Sequence, residues 1–173
     1  MDGEYTVTNF VTNPNPVFRS PNDHTGLVDG RFLAINPSSN LVGSNSIIWE
    51  RRDLEVLPNR DITITLWAYN FRIAGTAAND PQVEIQLVDA AGAIINSTVT
   101  AEIPQNNNAD DWHERTVTFN PGANTIVGIV FRSSQINDDD NELIIDDIQA
   151  IQSPEPCTET TDITVVVEDN RAF

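Results

Sequence analysis

The feature that most restricts the fold of this chain is the alternation of apolar and polar residues with a period of two. The clearest case is Asp61–Arg72, where aliphatic residues alternate with threonine and aromatic residues. This is the pattern of a half-buried strand, and no segment shows the 3.6-residue period of an amphipathic helix. Nine or ten such segments, spaced about a dozen residues apart, predict an all-β fold, an antiparallel β-sandwich or jelly roll.

Turn residues separate the predicted strands. Ser46–Trp49 and Asp53–Leu57 are predicted as two strands on either side of a charged bend, and residues 89–92 predict a tight hairpin between Gln82–Val88 and Ala93–Ile103. Long polar loops cover Asn13–Leu27, Pro37–Ser44 and Gln135–Glu142. Loops of this size on a rigid sandwich are where binding residues are expected.

The domain boundary is predicted from a proline-containing stretch near the C-terminus. Residues 1–152 are predicted to form one sandwich module, and residues 153–173 a linker and the start of a further strand or domain. Cys157 is the only cysteine, so it cannot form an internal disulfide. The N-terminal residues do not form a signal peptide. The chain is therefore either cytosolic or a segment of a longer secreted protein, and the short strand pattern of Ile163–Val167 favours the second.

The net charge of the chain restricts the classes of partner that it can bind. The sequence has 26 acidic and 9 basic residues, a net charge of −17. Such a chain cannot neutralise many phosphates, which argues against nucleic acid, and it is repelled by anionic membranes. No apolar run approaches the length of a membrane span. The balance instead fits a metal ion or a neutral polar ligand.

Two adjacent carboxylates interrupt the strongly apolar segment Leu143–Ile148. Strict alternation would place Asp146 on one face of this strand and Asp147 on the other, each among aliphatic residues. A buried unpaired carboxylate is costly, and a hard cation such as Ca²⁺ removes that cost. The alternative is that one or both carboxylates lie at an exposed strand end or accept backbone hydrogen bonds.

Aromatic residues share one predicted face of Asp61–Arg72, namely Trp67, Tyr69 and Phe71. An exposed strip of this kind can bind the C–H face of a sugar ring. The alternative is that a loop such as Pro37–Ser44 covers the rings and makes a second small core. His24, in a polar loop, either contacts a ligand or stabilises a turn.

No catalytic motif appears, and no catalytic residue is assigned. A pair of carboxylates for glycoside hydrolysis stays open, because 26 acidic residues offer many pairs.

Several segments together resemble a known family. They are Gly3–Val7, Asp23–Gly26, Asp29–Asn36, Ile64–Asn70, Trp112, and Asn141–Ile148. With these segments in this order and spacing, the chain resembles bacterial extracellular jelly-roll modules of the galactose-binding-like, carbohydrate-binding-module type. Such modules are common in Bacteroidetes-type surface adhesins. The resemblance runs from Gly3 to about Ile151.

The resemblance implies a structural Ca²⁺ that links the N-terminal strand, the Asp-Gly segment and the last strand. Carried over, this points to Glu4, Asp29 and Asp146, with Asp147 beside them. Asn141 and Glu142 occupy a loop position that implies ligand contact, although such modules often have Asn-Asp-Phe there and this chain has Asn-Glu-Leu.

The expected function is a non-enzymatic, calcium-stabilised module that binds a neutral glycan and belongs to a secreted or cell-surface protein. The alternatives are a structural spacer of the same fold and, third, a glycoside hydrolase domain.

Overall fold

The computed structural model describes residues 4–12, 15–37, 47–76, 79–134 and 142–154. Within these ranges the chain forms ten strands, and the described residues contain no helix. The strands are β1 (Glu4–Thr8), β2 (Phe32–Asn36), β3 (Ile47–Glu55), β4 (Ile62–Ile73), β5 (Val83–Asp89), β6 (Ile94–Val99), β7 (Gln105–Asn106), β8 (His113–Phe119), β9 (Ile126–Ser133) and β10 (Leu143–Gln152).

The strands form two sheets. The six-stranded sheet runs β1-β2-β10-β4, and both β7 and β8 pair with β4 on its far side. The four-stranded sheet runs β3-β9-β5-β6. All pairs are antiparallel except the short parallel pair of β4 with β7. The predicted all-β sandwich is confirmed.

The main core lies between the two sheets. The aliphatic face of β4 predicted from the sequence, Ile62, Ile64, Leu66 and Ala68, is buried there. It packs with inward-facing residues of the other sheet, including Ile85, Leu87, Ile129 and Phe131. Burial of this apolar surface is the main stabilising contribution to such a fold.

The hairpin predicted at residues 89–92 is confirmed. The amide of Asp89 donates to the carbonyl of Ala93 at 2.8 Å, and the Asp89 carboxylate accepts from the amides of Ala91 and Ala93. Gly92 has a φ of 88°, a conformation that favours glycine. The following strand ends at Val99, earlier than the predicted Ile103.

One predicted pair of strands is a single strand. The sequence predicts Ser46–Trp49 and Asp53–Leu57 as two strands on either side of a bend, but β3 (Ile47–Glu55) runs through the bend, with an irregular register between Arg51 and Leu54. Asp53 has a φ of 57° at this point. A β-bulge accommodates the charged residues without ending the strand, because an extra residue is left unpaired while its neighbours still pair with β9.

Some predictions fall outside the described residues. These are Asn141, most of the loop Pro37–Ser44, and the segment after Pro154 with Cys157 and Ile163–Val167. Within the described ranges, no helix is long and apolar enough to cross a membrane.

Candidate functional site

Trp67, Tyr69 and Phe71 project from the outer face of the six-stranded sheet, on the side away from the main core. They do not form an open platform. Tyr69 is 0% exposed, its hydroxyl donates to the Asn108 carbonyl at 3.0 Å, and burial raises its pKa. With Phe32 and Ile144 it forms a second buried cluster. The alternative of a small outer core describes Tyr69 and Phe71. Phe18 and His24 contact Phe71 and Trp67, whereas Trp112 and Asn108 contact Tyr69.

His24 closes over Trp67. Its imidazole stacks on the indole with ring centroids 3.9 Å apart and planes inclined by 22°. The Nδ1 atom lies 2.6 Å from an Asp147 carboxylate oxygen, and the His24 amide donates to Asp146 at 3.2 Å. Trp112 meets the edge of the same imidazole at 5.8 Å. Four predicted site residues are therefore in contact, namely His24, Trp67, Asp146 and Asp147. Through them His24 holds the loop of residues 15–31, termed here the covering loop, against the sheet.

A bulge in β10 places both aspartates at the sheet surface. The register between β10 and β4 shifts between Asp146 and Gln149, and Asp147 has a φ of 47°. Both carboxylates consequently contact His24, whereas Ile148 packs against the main core. The predicted alternation, with one carboxylate on each face, is wrong here. Because of the extra residue in the bulge, the Asp147 carboxylate does not point into the main core, where burial of its charge would be costly.

Asp23 is the neighbour of Asp146 that sequence analysis did not assign. Its carboxylate accepts from the Thr25 hydroxyl at 2.5 Å and from the Leu27 amide at 3.2 Å. The Thr25 hydrogen bond lowers the pKa of Asp23. Burial raises the pKa of Asp146, and the nearby charges of Asp147 and Asp23 raise it further. The signal was present in the sequence, because Asp-His-Thr-Gly is a turn in which an aspartate accepts from the following backbone.

The other two predicted metal ligands lie elsewhere. Asp29 is in an exposed turn, and Glu4 is exposed on the edge strand β1. In the part of the chain that the structure describes, no group of three or more His, Cys, Asp or Glu side chains is arranged to hold a metal ion. Glu4, Asp29, Asp146 and Asp147 thus do not assemble into one cluster of side chains.

Phe71 and Glu142 line a groove of about 230 Å³ beside the buried rings. Phe71 stacks on Phe18 at 4.8 Å with planes inclined by 14°. The guanidinium carbon of Arg72 lies 4.6 Å from the centroid of the Phe18 ring. Arg72 also makes an ion pair with Glu142, at 3.3 Å between Nε and Oε2. The groove, termed here the Phe71 groove, is completed by Glu4, Tyr5, Thr6, Val11, Ala34, Ile35, Asn36, Leu143 and Ile144.

Comparison with known proteins identifies the fold. No protein-family model matches the chain, and no curated protein matches it. A cyclase from Fischerella sp. TAU, solved in complex with 4-(1H-indol-3-yl)butan-2-one, has a TM-score of 0.55 and 12% identity. This likeness covers 87% of the present chain and 85% of the cyclase.

Two further similar structures contain carbohydrate-binding modules. The CBM22-1–GH10 modules of Clostridium thermocellum xylanase 10B, complexed with xylohexaose, give a TM-score of 0.50 and 9% identity over 93% of this chain and 27% of theirs. A CBM4 structure gives 0.48 and 13% identity over 88% of this chain and 89% of its own. At identities this low the likeness shows the fold alone, an all-β sandwich. The fold is shared with an enzyme, so it does not by itself decide the activity.

Proposed function

We propose that this chain is a carbohydrate-binding module and that the Phe71 groove holds the sugar. The observation that carries the proposal is the meeting of an aromatic pair, a carboxylate and an amide in one shallow groove, formed by Phe18, Phe71, Glu142 and Asn36. An aromatic face attracts the C–H groups of a sugar ring, while a carboxylate and an amide pair with its hydroxyls. The jelly-roll fold supports the same function.

The ligand is a neutral glycan. The net charge of −17 makes the surface repel uronates and sulfates. Glu142 strengthens this preference, because an acidic sugar in the groove would face its carboxylate. Arg72 does not reverse it, since the guanidinium is already paired with Glu142 at 3.3 Å. Binding of a neutral glycan forms no ion pair, so its affinity depends little on salt.

A calcium ion at Asp146 stabilises the module in this proposal. The donor set fits a hard cation, because Asp23 and Asp146 offer carboxylate oxygens close enough for one charge to influence the other. Backbone carbonyls of the Asp23–Gly30 segment are further oxygen donors of the kind that Ca²⁺ accepts. Glu4 and Asp29 are not assigned to the ion. When bound, the cation would neutralise the repulsion between the carboxylates and fix the covering loop on β10.

The biological setting that fits this function is a secreted or cell-surface modular protein that adheres to glycans through a non-catalytic module. A spacer domain of the same fold would lack a ligand, and a hydrolase would cleave its glycan. Both alternatives are outcomes of the experiment that follows.

The experiment is a glycan-array screen followed by calorimetric titration of the best neutral oligosaccharide. Phe71→Leu keeps the groove apolar but removes the aromatic face, so affinity should fall about tenfold, or ~1.4 kcal/mol. The unfolding free energy should change by less than ~1.5 kcal/mol, as for other swaps of similar volume. Phe131→Leu, the same change in the main core, is the control and should leave the affinity unchanged.

Three results would contradict the proposal. Absence of binding to every neutral glycan would favour a spacer, and release of reducing sugar would favour a hydrolase. Equal affinity of the native chain and the Phe71→Leu variant would place the sugar elsewhere on the module.

A further inference from the structure

The strand β1 forms the outer edge of the six-stranded sheet. In the part of the chain that the structure describes, no strand pairs with its free side. All its residues pair with β2 in an unbroken register, from Glu4 with Asn36 to Thr8 with Phe32. A regular edge strand presents a row of backbone amides and carbonyls, and such a row is a template for pairing with another chain.

The other edge strands of the described sheets carry features that hinder such pairing. The register of β3 shifts twice, and its central residues, Glu50–Asp53, are all charged. At β8 the Arg115 side chain donates to the Ala101 carbonyl at 3.1 Å and holds the chain after β6 beside this strand. The register of β6 is irregular and its centre, Asn96–Thr98, is polar, while β7 has only two residues. In contrast, β1 has an unbroken register, and its one charged residue, Glu4, is at its end.

The inner face of β1 exposes two large apolar side chains. Tyr5 pairs with Ile35 and Val7 pairs with Leu33 on β2. Ile35 belongs to the main core and Leu33 packs against it, so Tyr5 and Val7 lie on the face that points towards the four-stranded sheet. They are nevertheless 75% and 58% exposed. A further strand beside β1 would cover both of them with the side chains of its own inner face.

The sequence of β1 is complementary to itself in an antiparallel pair. A two-fold axis through Thr6 places Tyr5 opposite Val7 of the second copy, and Glu4 opposite Thr8 of the second copy. Pairs of an aromatic with a β-branched residue, and of two threonines, stabilise neighbouring strands. No like charges lie opposite each other, because the two Glu4 side chains are separated by about 13 Å along the strands. An axis through Tyr5 or Val7 would pair fewer residues of β1.

We propose that two copies of this chain associate through β1, by antiparallel pairing about Thr6, so that their six-stranded sheets join into one continuous sheet. Residues opposite each other in such a pair share a face, so the outer faces of both copies lie on the same side. Glu4 and Thr6 line the Phe71 groove, and the β1 strand of the second copy therefore lies beside that groove. The two grooves open on one side of the dimer and can engage the same glycan surface, a consequence that rests on the proposed function.

The dimer has a characteristic dependence on salt. A contact between two short strands is small, so the association belongs to the weak class that buries less than about 1,200 Å². Each copy has a net charge of −17, and the repulsion between the copies opposes association at low salt. Salt at physiological strength limits this repulsion to a range of about 8 Å. The dissociation constant should therefore fall as the salt concentration rises, the opposite of an interface held by ion pairs.

The test is sedimentation equilibrium of the full chain over a concentration series, at low salt and at physiological salt. Thr6→Lys and Thr6→Glu each place like charges opposite one another across the two-fold axis, so each should weaken the dimer by roughly fivefold. An equimolar mixture of the two variants should associate at least as tightly as the native chain, because the introduced lysine then faces the introduced glutamate. Thr98→Lys makes the same change at an exposed threonine of the edge strand β6 and should leave the dimer unchanged.

The proposal is overturned if the native chain is monomeric at about 1 mM, or if its dissociation constant rises with salt. It is also overturned if Thr6→Lys and Thr98→Lys have equal effects, or if the mixture of the two Thr6 variants associates no better than each variant alone. Thermal unfolding of each variant shows that the fold is kept. Phe71→Leu should leave the dimer intact, and sedimentation needs no glycan, so this proposal and the proposed function can fail separately.

Discussion

Replacement of Tyr69 tests whether the aromatic face of β4 is a structural core. Tyr69→Ala should destabilise the chain by about 3–5 kcal/mol, the cost of deleting a large buried aromatic side chain. The side chain is 0% exposed and is packed with Phe32, Ile144 and Trp112, so little water can enter the space that is left. Tyr69→Phe removes only the hydrogen bond to the Asn108 carbonyl and should cost ~0.5–1.5 kcal/mol.

The assay is urea denaturation with thermal unfolding as a second measurement. At about 2–4 °C per kcal/mol for a chain of this length, Tyr69→Ala should lower the melting temperature by roughly 6–20 °C. Tyr5 is the other tyrosine of the chain and is 75% exposed, so Tyr5→Ala is the matched control and should change stability by no more than ~0.5 kcal/mol. A cost below ~1 kcal/mol for Tyr69→Ala would refute the assignment of this face to a second core.

Four further predictions concern the covering loop and the acidic residues near it. In EDTA at neutral pH, Asp146→Asn should be at least as stable as the native chain. Burial raises the pKa of Asp146 in the folded state. The contribution of this carboxyl group to stability is therefore present below the pKa that it has in the unfolded chain, and it is lost as the pH rises through the pKa that it has in the folded chain. In calcium at a hundred times its dissociation constant the native chain should instead gain ~2.7 kcal/mol, and equal melting temperatures with and without EDTA would contradict the ion. Asp111→Asn should destabilise at neutral pH, because the backbone hydrogen bond from Asn107 lowers the pKa of Asp111; the difference in urea midpoint should disappear as pH falls through that lowered pKa. Gly30→Ala should lower the melting temperature, because its Cβ would lie 2.1 Å from Asp23 Oδ1; an unchanged value would show that the loop can move away.

The sequence by itself determined the class of fold and the inward face of the long strand β4. Period-two alternation is a local property of a strand, so it could be seen without knowing what the strand packs against. The hairpin at residues 89–92 was equally local, because its aspartate and glycine form the turn from neighbouring residues alone. The sequence also showed that two carboxylates interrupt an apolar strand, and their role as metal ligands stays a prediction.

Only the tertiary structure decided how these aspartates and the aromatic residues are arranged. The bulge after Asp146 depends on the pairing of β10 with β4, and it moves Asp147 to the surface and Ile148 to the core. The stacking of His24 on Trp67 joins residues 43 positions apart, and no periodicity encodes which loop covers which face. The space of about 700 Å³ lined by residues of β1, β2, β3 and β10 opens at the sandwich edge because β1 and β3 are both edge strands, a consequence of strand order and not of either segment's own sequence.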